Sequence, residues 1–214
     1  MVIFLKNNLI ITIGRQYASG GHEIARELSK LLGIKMYDKE LIDLAAENSG
    51  ISREVLKSYD EKPTSSFLYS LSTGVHSFDG VHLGTPNVPL VDRVFAAQAQ
   101  LIREIAERES CIFVGRCANS VLHDFNNVLS VFIHTDTERR IDRVCEFSNC
   151  SRSAAADEIR KADRKRASFN NYFSDYKWGN ALSYDLCLDS RIGYDNCAEI
   201  IKFFAEHHEK TSKY

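Results

Sequence analysis

The sequence has few of the residues that interrupt or cross-link a chain. It holds three prolines in 214 residues, and all three lie between residues 60 and 90. Its six cysteines are scattered and include no C-x-x-C pair, so neither a disulfide framework nor a structural zinc site is indicated. We therefore expect reduced thiols in a cytoplasmic protein.

Long apolar runs and an excess of one charge are also missing. No apolar run approaches the ~18 residues of a membrane span, and the opening Met-Val-Ile-Phe-Leu is too short for the core of a signal peptide. The formal net charge is -2, which gives no general attraction to nucleic acid or to an anionic membrane. We expect neither as a partner, and any anion site must be local.

Short apolar runs are present, and they alternate with helical patterns. The runs are rich in β-branched or aromatic residues and continuous, which is typical of strands covered on both faces. They lie at Leu9–Ile13, Ile34–Tyr37, Cys111–Val114, Val128–Ile133 and Tyr184–Leu188. The main helical patterns after the first strands are Val91–Arg108, a helix opened by a capping box at residues 135–138, Ser151–Arg166 and Asn196–His207. This order predicts an α/β fold with a parallel sheet.

Residues 60–90 break the alternation. They contain the three prolines and a cluster of Gly, Ser and Thr, with no clean period. Thirty such residues inside a compact domain indicate an insertion or a lid over a site. We therefore divide the chain into a core, residues 1–59 and 91–214, and an inserted segment, residues 60–90.

A strand, a glycine-bearing turn and an amphipathic helix follow one another at residues 11–33. Gly14 ends the strand, Gly20 and Gly21 open the helix, and Gly33 is placed to end it. Glycines let main-chain N–H groups approach an anion closely, and the helix dipole favours negative charge at the same point. The layout is typical of a phosphate-binding loop.

The loop departs from the standard pattern G-x-x-x-x-G-K-[ST]. It is one residue longer, Gly21 occupies the lysine position, and His22 occupies the Ser/Thr position. From the local sequence alone, two interpretations stay open: a phosphate loop without its lysine, and an ordinary turn whose glycines assist packing.

Two other groups of residues bear on this choice. Gly115 and Arg116 follow the third apolar run, which puts a guanidinium at the carboxyl end of a strand, where open α/β sheets bind ligands. Further on, a helical face carries Arg160, Asp163 and Arg164, and Arg166 lies just beyond. Each group alone also fits a solvated surface. Together with the glycine turn they favour phosphoryl transfer, which needs several cations around the transferred group.

Four stretches of the chain carry a resemblance to a known family. They are Ile-Thr-Ile-Gly-Arg-Gln-Tyr-Ala-Ser-Gly-Gly-His-Glu-Ile-Ala (11–25), Gly-Ile-Lys-Met-Tyr-Asp-Lys-Glu-Leu (33–41), Phe-Val-Gly-Arg-Cys-Ala (113–118) and Ala-Asp-Arg-Lys-Arg-Ala (162–167). In this order they resemble the cytidylate kinase-like family of P-loop nucleoside monophosphate kinases, over nearly the whole chain.

The resemblance implies a fold and a set of ligands. The fold is a five-stranded parallel sheet with helices on both faces, a monophosphate-binding insertion at residues 60–90 and a short lid at residues 160–178 within the core. The implied ligands are small-molecule nucleotides, with ATP as co-substrate and Mg²⁺. The oligomeric state is not indicated.

The resemblance also assigns roles to residues. Asp163, Arg164 and Arg166 match the acid and the arginines of the family's lid. Arg116 corresponds to an arginine that faces the monophosphate, and Asp38 to an aspartate that opens the second helix beside it. We therefore expect Asp38, Arg116 and Asp163 to bind the acceptor.

Two departures from the family concern the chemistry directly. The loop lysine is absent, and Cys117 stands where the family has an aspartate after its Gly-Arg pair. We hypothesise from spacing that Arg15 replaces the lysine over the phosphates and that Ser19 supplies a hydroxyl to magnesium. The residues expected to contact nucleotide or phosphate are Gly14, Arg15, Ser19, Gly20, Gly21, His22 and Glu23, and those expected to act in catalysis are Arg15, Arg160, Arg164 and Arg166.

The function predicted from the sequence is that of an ATP-dependent phosphotransferase of cytidylate kinase type, acting on a CMP-like nucleoside monophosphate or a related small phosphorylated acceptor. The alternative is a degenerate nucleotide-binding or sensor protein without turnover. The missing lysine favours the alternative, whereas the retained arginines favour the enzyme.

Overall fold

The structure is a computed structural model that describes residues 8–59 and 88–207. Its five strands form one sheet in the order β2-β3-β1-β4-β5, and every neighbouring pair is parallel. The strands are β1 (Ile10–Arg15), β2 (Lys35–Tyr37), β3 (Cys111–Val114), β4 (Val128–His134) and β5 (Leu186–Asp189). The predicted five-stranded parallel sheet is confirmed.

Helices occupy the connections between the strands. They are α1 (Gly21–Leu32), α2 (Glu40–Ser49), α3 (Arg53–Tyr59), α4 (Leu90–Arg108), α5 (Ala118–Val121), α6 (Thr137–Ser148), α7 (Arg152–Phe173) and α8 (Tyr194–His207). Two 3₁₀ turns, Ala181–Ser183 and Ser190–Ile192, flank β5. Among the described residues, none of the helices is long and apolar enough to cross a membrane.

The strands are buried on both faces, because alternate residues point to opposite apolar layers. From β1, Ile11 and Ile13 join the layer that contains α1 and α8, whereas Ile10 joins the layer that contains α2 and α4. This two-sided burial explains why the strands appear in the sequence as continuous apolar runs. It confirms helices on both faces of the sheet.

The first helix ends at the glycine predicted from the sequence. Helix α1 ends at Gly33, which adopts a left-handed conformation with φ +64° and donates its N–H to the Ser29 carbonyl. A residue with a Cβ is disfavoured in this conformation, so the glycine gives the helix a defined end.

The predicted capping box of α6 is wrong by one residue. The N-cap is Asp136, whose side chain accepts the Arg139 N–H at 2.9 Å. Thr135 is buried, and its N–H donates instead to Gln16 Oε1 at 3.2 Å. The residue expected to begin the helix therefore helps to hold the glycine turn after β1.

The helix predicted at Ser151–Arg166 is longer than the sequence indicated. Ser151 caps α7, but the helix continues through the basic run to Phe173. Its last turns are held by aromatic packing, since Phe173 stacks on Phe95 with ring centroids 3.9 Å apart and Phe169 meets Phe95 edge to face. The lid segment, residues 160–178, is therefore the second half of a continuous helix and the turn after it, and its closure stays a prediction.

Several other boundaries differ from the sequence interpretation by one or more residues. Strand β1 runs on to Arg15 and β4 to His134, and Tyr184 lies before β5 rather than in it. Most of the predicted insertion, residues 60–87, lies outside the described residues.

Candidate functional site

The glycine turn after β1 is fastened to the end of β4. The Gln16 N–H donates to the Ile133 carbonyl at 3.0 Å, which continues the pairing of β1 with β4 for one more residue. Ser19 is 2% exposed, and its hydroxyl lies 2.9 Å from the Gln16 carbonyl and 3.2 Å from that of Ile133. These contacts give the turn a fixed shape on the carboxyl edge of the sheet.

The amino end of α1 has no side-chain cap. Gly20 is the N-cap residue, with φ +87°, and it has no side chain that could accept a hydrogen bond from the first turn of this helix. The first-turn N–H groups and the helix dipole are therefore available to an anion. A Cβ on Gly20 would lie 2.3 Å from the Tyr194 ring, so the close packing of that ring also requires glycine here.

The side chain of Arg15 explains why the lysine position holds glycine. A Cβ on Gly21 would lie 2.6 Å from Arg15 Cβ and 3.0 Å from Arg15 Cγ. The stem of Arg15 therefore fills the space that a side chain at position 21 would need. That Arg15 also takes over the lysine's electrostatic role stays a prediction.

Ser19 and His22 have protein partners in the structure. The two contacts of the Ser19 hydroxyl are carbonyls of the turn (Gln16) and of β4 (Ile133), so the hydroxyl fastens the loop to the sheet. Its predicted magnesium role stays a prediction. His22 Nδ1 lies 3.0 Å from Asp38 Oδ2. Glu23, one residue on, forms an ion pair with Arg143 of α6.

Arg116, Asp38 and His22 form a connected group along the carboxyl edge. Arg116 is 3% exposed, and its Nη1 lies 3.2 Å from Asp38 Oδ1. Its backbone has φ +53°, a left-handed conformation that costs a non-glycine residue of order 1–2 kcal/mol. The structure thus brings together the strand-end arginine and the aspartate before α2.

A narrow cleft with a free volume of about 20 Å³ lies between the carboxyl ends of β1 and β3 and helix α7. Arg15, Arg116 and Arg166 line it, which gives it a strong local positive charge in a chain of net charge -2. Its other walls include Thr12, Asn119, Phe169, Asn170, Trp178 and Tyr184. The position is the one at which open α/β sheets bind ligands.

Three polar side chains in the walls of this cleft hold buried atoms that have no hydrogen-bond partner among residues 8–59 and 88–207. They are Thr12 Oγ1, Asn119 Nδ2 and Asn170 Oδ1. The amide nitrogen of Asn170 contacts Cys117 Sγ at 3.4 Å, which directs its oxygen elsewhere. Buried polar atoms are usually hydrogen-bonded, so these donors and acceptors suit a water molecule or a polar group of a ligand.

Of the three lid arginines predicted to act in catalysis, the structure brings Arg166 to the cleft. Its Nη1 donates to the Arg15 carbonyl at 3.2 Å, and its guanidinium lies 5.4 Å from the centre of the Tyr17 ring. Arg160 pairs with Asp157 on the exposed surface, and Arg164 is exposed. A residue advances about 100° around a helix, so positions 160 and 164 point well away from 166 on the continuous α7.

Asp163 lies against the glycine turn. Its Oδ1 accepts the Tyr17 N–H at 2.7 Å, and its Oδ2 lies 2.5 Å from Arg140 Nη1. The sequence interpretation overlooked Arg140, which is 6% exposed. The available signal was its place in the first turn of a helix that begins at the carboxyl end of β4.

Tyr17 makes a second contact between the turn and α7. Its hydroxyl donates to Glu158 Oε1 at 2.5 Å. Burial, together with this hydrogen bond, raises the pKa of Tyr17 to about 12. The turn is therefore joined to α7 through Asp163, Glu158 and Arg166.

The cysteines have the properties of structural residues. All six are free, and Cys111, Cys117 and Cys197 are buried. Burial raises the pKa of Cys111 to about 12 and that of Cys197 to about 11, which disfavours a reactive thiolate at either position.

The sequence matches the profile of the cytidylate kinase-like family over residues 10–192. This match spans all five strands, the glycine turn, the cleft and α7. The chain belongs to the cytidylate kinase-like family. A search of curated proteins found no match of significance.

Solved structures with the same fold include one similar protein that is itself uncharacterized. This protein, from Eubacterium ventriosum, is 25% identical, superposes with a TM-score of 0.71, and aligns over 94% of this chain and 100% of its own. A shikimate kinase from Bacteroides thetaiotaomicron is 13% identical with a TM-score of 0.52, over 92% of this chain and 98% of its own. One from Acinetobacter baumannii, solved in complex with shikimate, is 12% identical with a TM-score of 0.50, over 97% of this chain and 98% of its own. The likeness to the two shikimate kinases shows a shared fold.

Proposed function

We propose that this member of the cytidylate kinase-like family is an ATP-dependent phosphotransferase that moves the γ-phosphoryl group to a CMP-like nucleoside monophosphate or a related small phosphorylated acceptor. Family membership supports phosphotransferase activity of the nucleotide kinase type. The observation that carries the proposal is the arginine-lined cleft beside the uncapped amino end of α1.

The phosphates of ATP would bind at the amino end of α1. The uncapped first-turn N–H groups there match the chemistry of an anion. Because the loop has no lysine, arginine side chains must supply the positive charge, and a planar guanidinium suits phosphate oxygens well.

The described residues do not form a built magnesium site. The carboxylates of Glu23, Asp38 and Asp163 are each paired with a basic side chain, and the Ser19 hydroxyl is engaged inside the turn. We therefore expect Mg²⁺ to enter bound to ATP, as the co-substrate Mg-ATP, and we assign no step to a metal held by the protein.

The acceptor would bind at the cleft, whose walls must move apart to admit it because the free volume is about 20 Å³. Its phosphate would face Arg116 and Arg166, and its neutral part would meet the buried polar atoms of Thr12, Asn119 and Asn170. The aromatic walls formed by Trp178 and Tyr184 suit a ring or sugar better than a fully charged molecule.

The transfer itself needs no covalent intermediate on the protein. An oxygen of the acceptor phosphate forms a bond to the γ-phosphorus as the bond to the β-phosphate bridging oxygen breaks, which yields ADP and an acceptor diphosphate. Arg15 and Arg166 would stabilise the charge that redistributes over the oxygens in the transition state.

Turnover of Mg-ATP with a panel of nucleoside monophosphates tests this proposal. We expect diphosphate from CMP or UMP, and a loss on the order of 10²–10³ in turnover for Arg166→Ala, because a preorganised charge contact is removed. Lys161→Ala is the matched control, since Lys161 is exposed on the same helix. Equal activity of the two variants, or no diphosphate from any acceptor, would contradict the proposal.

The second candidate is a nucleotide-binding protein without turnover. Glycine at position 21 and Cys117 after Arg116 favour it, because each replaces a charged residue of the family pattern. ATP binding without product from any acceptor would support this function instead.

A further inference from the structure

One carboxylate is shared between the glycine turn and a buried arginine. Asp163 Oδ1 accepts the Tyr17 main-chain N–H at 2.7 Å, and Oδ2 lies 2.5 Å from Arg140 Nη1. A loop amide and a guanidinium thus converge on a single anionic group. That combination of donors is typical of sites that bind phosphate oxygens.

Arg140 is not fully satisfied by this carboxylate. The residue is 6% exposed, and its Nε is buried without a hydrogen-bond partner in the described part of the chain. A buried N–H group left unpaired is destabilising, so a purely structural ion pair would be expected to use it. A second acceptor oxygen beside Arg140 would satisfy it.

The contact between Tyr17 and Asp163 lies in the turn that leads into α1. Tyr17 lies between β1 and the amino end of α1, which has no side-chain cap. Asp163 therefore brings negative charge to the part of the molecule where a phosphate loop binds its anion.

We propose that the Asp163 carboxylate holds the place of a phosphate oxygen, and that Arg140 joins Arg15 in supplying the positive charge of the missing loop lysine. When a nucleotide binds, a phosphate oxygen displaces the carboxylate and takes its hydrogen bonds from Tyr17 N–H and Arg140 Nη1. No bond is made or broken in this exchange of one anion for another.

The proposal adds a residue to the site proposed above and rests on its assignment of the turn as the nucleotide phosphate site. It does not require turnover. The competing interpretation is a structural tie in which Asp163 joins the turn, α6 and α7, and in which phosphate never meets Arg140.

Binding of ATP and of inorganic pyrophosphate to the full chain, measured by calorimetry without any acceptor, separates the two interpretations. If the carboxylate competes with phosphate, Asp163→Asn should bind both probes about tenfold more tightly, because the competent state becomes more populated. Arg140→Met should weaken both by on the order of 10²-fold, and Arg140→Lys should retain part of the affinity.

The control is a second Asp–Arg pair between the same two helices. Asp142 of α6 pairs with Arg152 of α7, but both side chains are 57% exposed. Asp142→Asn and Arg152→Met should leave the binding of both probes unchanged.

The Asp163→Asn result decides the matter even if Arg140→Met does not fold. The proposal is overturned if Asp163→Asn binds both probes as the wild type does, or more weakly. It is also overturned if neither the wild type nor Asp163→Asn binds ATP or pyrophosphate. Tight probe binding without turnover would preserve it and contradict only the proposed enzyme.

Discussion

At the scale of single residues, the most informative position is Gly21. The sequence shows that the lysine is absent, and the structure supplies the reason, because the stem of Arg15 fills the space beside the α1 backbone. A lysine cannot be restored there without moving Arg15. The loop is therefore a self-consistent alternative to the standard one rather than a standard loop with one residue lost.

We expect Gly21→Ala to lower the free energy of unfolding by about 1–3 kcal/mol, the usual cost of adding atoms to a packed site. Urea denaturation measures it. In an Arg15→Gly background, which removes the atoms that the new Cβ meets, the cost of Gly21→Ala should be smaller. An equal cost in both backgrounds would show that Arg15 is not the cause.

The residues that sequence reasoning located and those it missed differ in one physical respect. Arg116 and Asp38 could be located because each follows a strand, and the carboxyl ends of parallel strands meet at one edge of the sheet. Arg140 could not be located in this way, because only its buried contact with Asp163, 23 residues further along the chain, distinguishes it. Nothing in the local pattern of α6 distinguishes it from the neighbouring, exposed Arg139.

At the scale of elements, α7 holds the glycine turn in position. It contacts the turn through three side chains. The sequence pattern predicts too short a helix, because the basic run interrupts the apolar periodicity before Phe169 and Phe173. Phe169 and Phe173 anchor its end against Phe95. The phase of this helix, set by that packing, directs Arg166 to the cleft and Arg160 to the surface.

The hydrogen bond from Tyr17 to Glu158 gives the contact between the turn and α7 a dependence on pH. The pKa of Tyr17 is raised from 10.0 to about 12 in the folded protein. The stabilisation from its protonated hydroxyl is therefore complete below pH 10 and is lost as the pH rises towards 12.

We expect the difference in unfolding free energy between the wild type and Tyr17→Phe to be constant from pH 7 to 9 and to shrink above pH 10. Urea titrations at each pH measure it. Other tyrosines with a raised pKa, such as Tyr184, are common to both proteins and cancel in the difference. A difference that persists unchanged to pH 11 would show that folding does not raise the pKa of this hydroxyl.

At the scale of the whole molecule, the architecture was predictable from the sequence. Continuous apolar runs such as Cys111–Val114 separated by helical patterns admit few arrangements other than a parallel sheet with helices on both faces. The strand order puts β1 between β3 and β4. The glycine turn, Arg116 and the start of α6 therefore lie at the same edge of the sheet, where they form the candidate site.

The central claim is that phosphate moves from ATP to an acceptor in the cleft, and phosphorus NMR on Mg-ATP with CMP or UMP tests it most directly. The account predicts that the γ signal of ATP falls while ADP and a new acceptor diphosphate rise in equal amounts. ATP that stays intact, or that releases only inorganic phosphate, with every nucleoside monophosphate tried would contradict it.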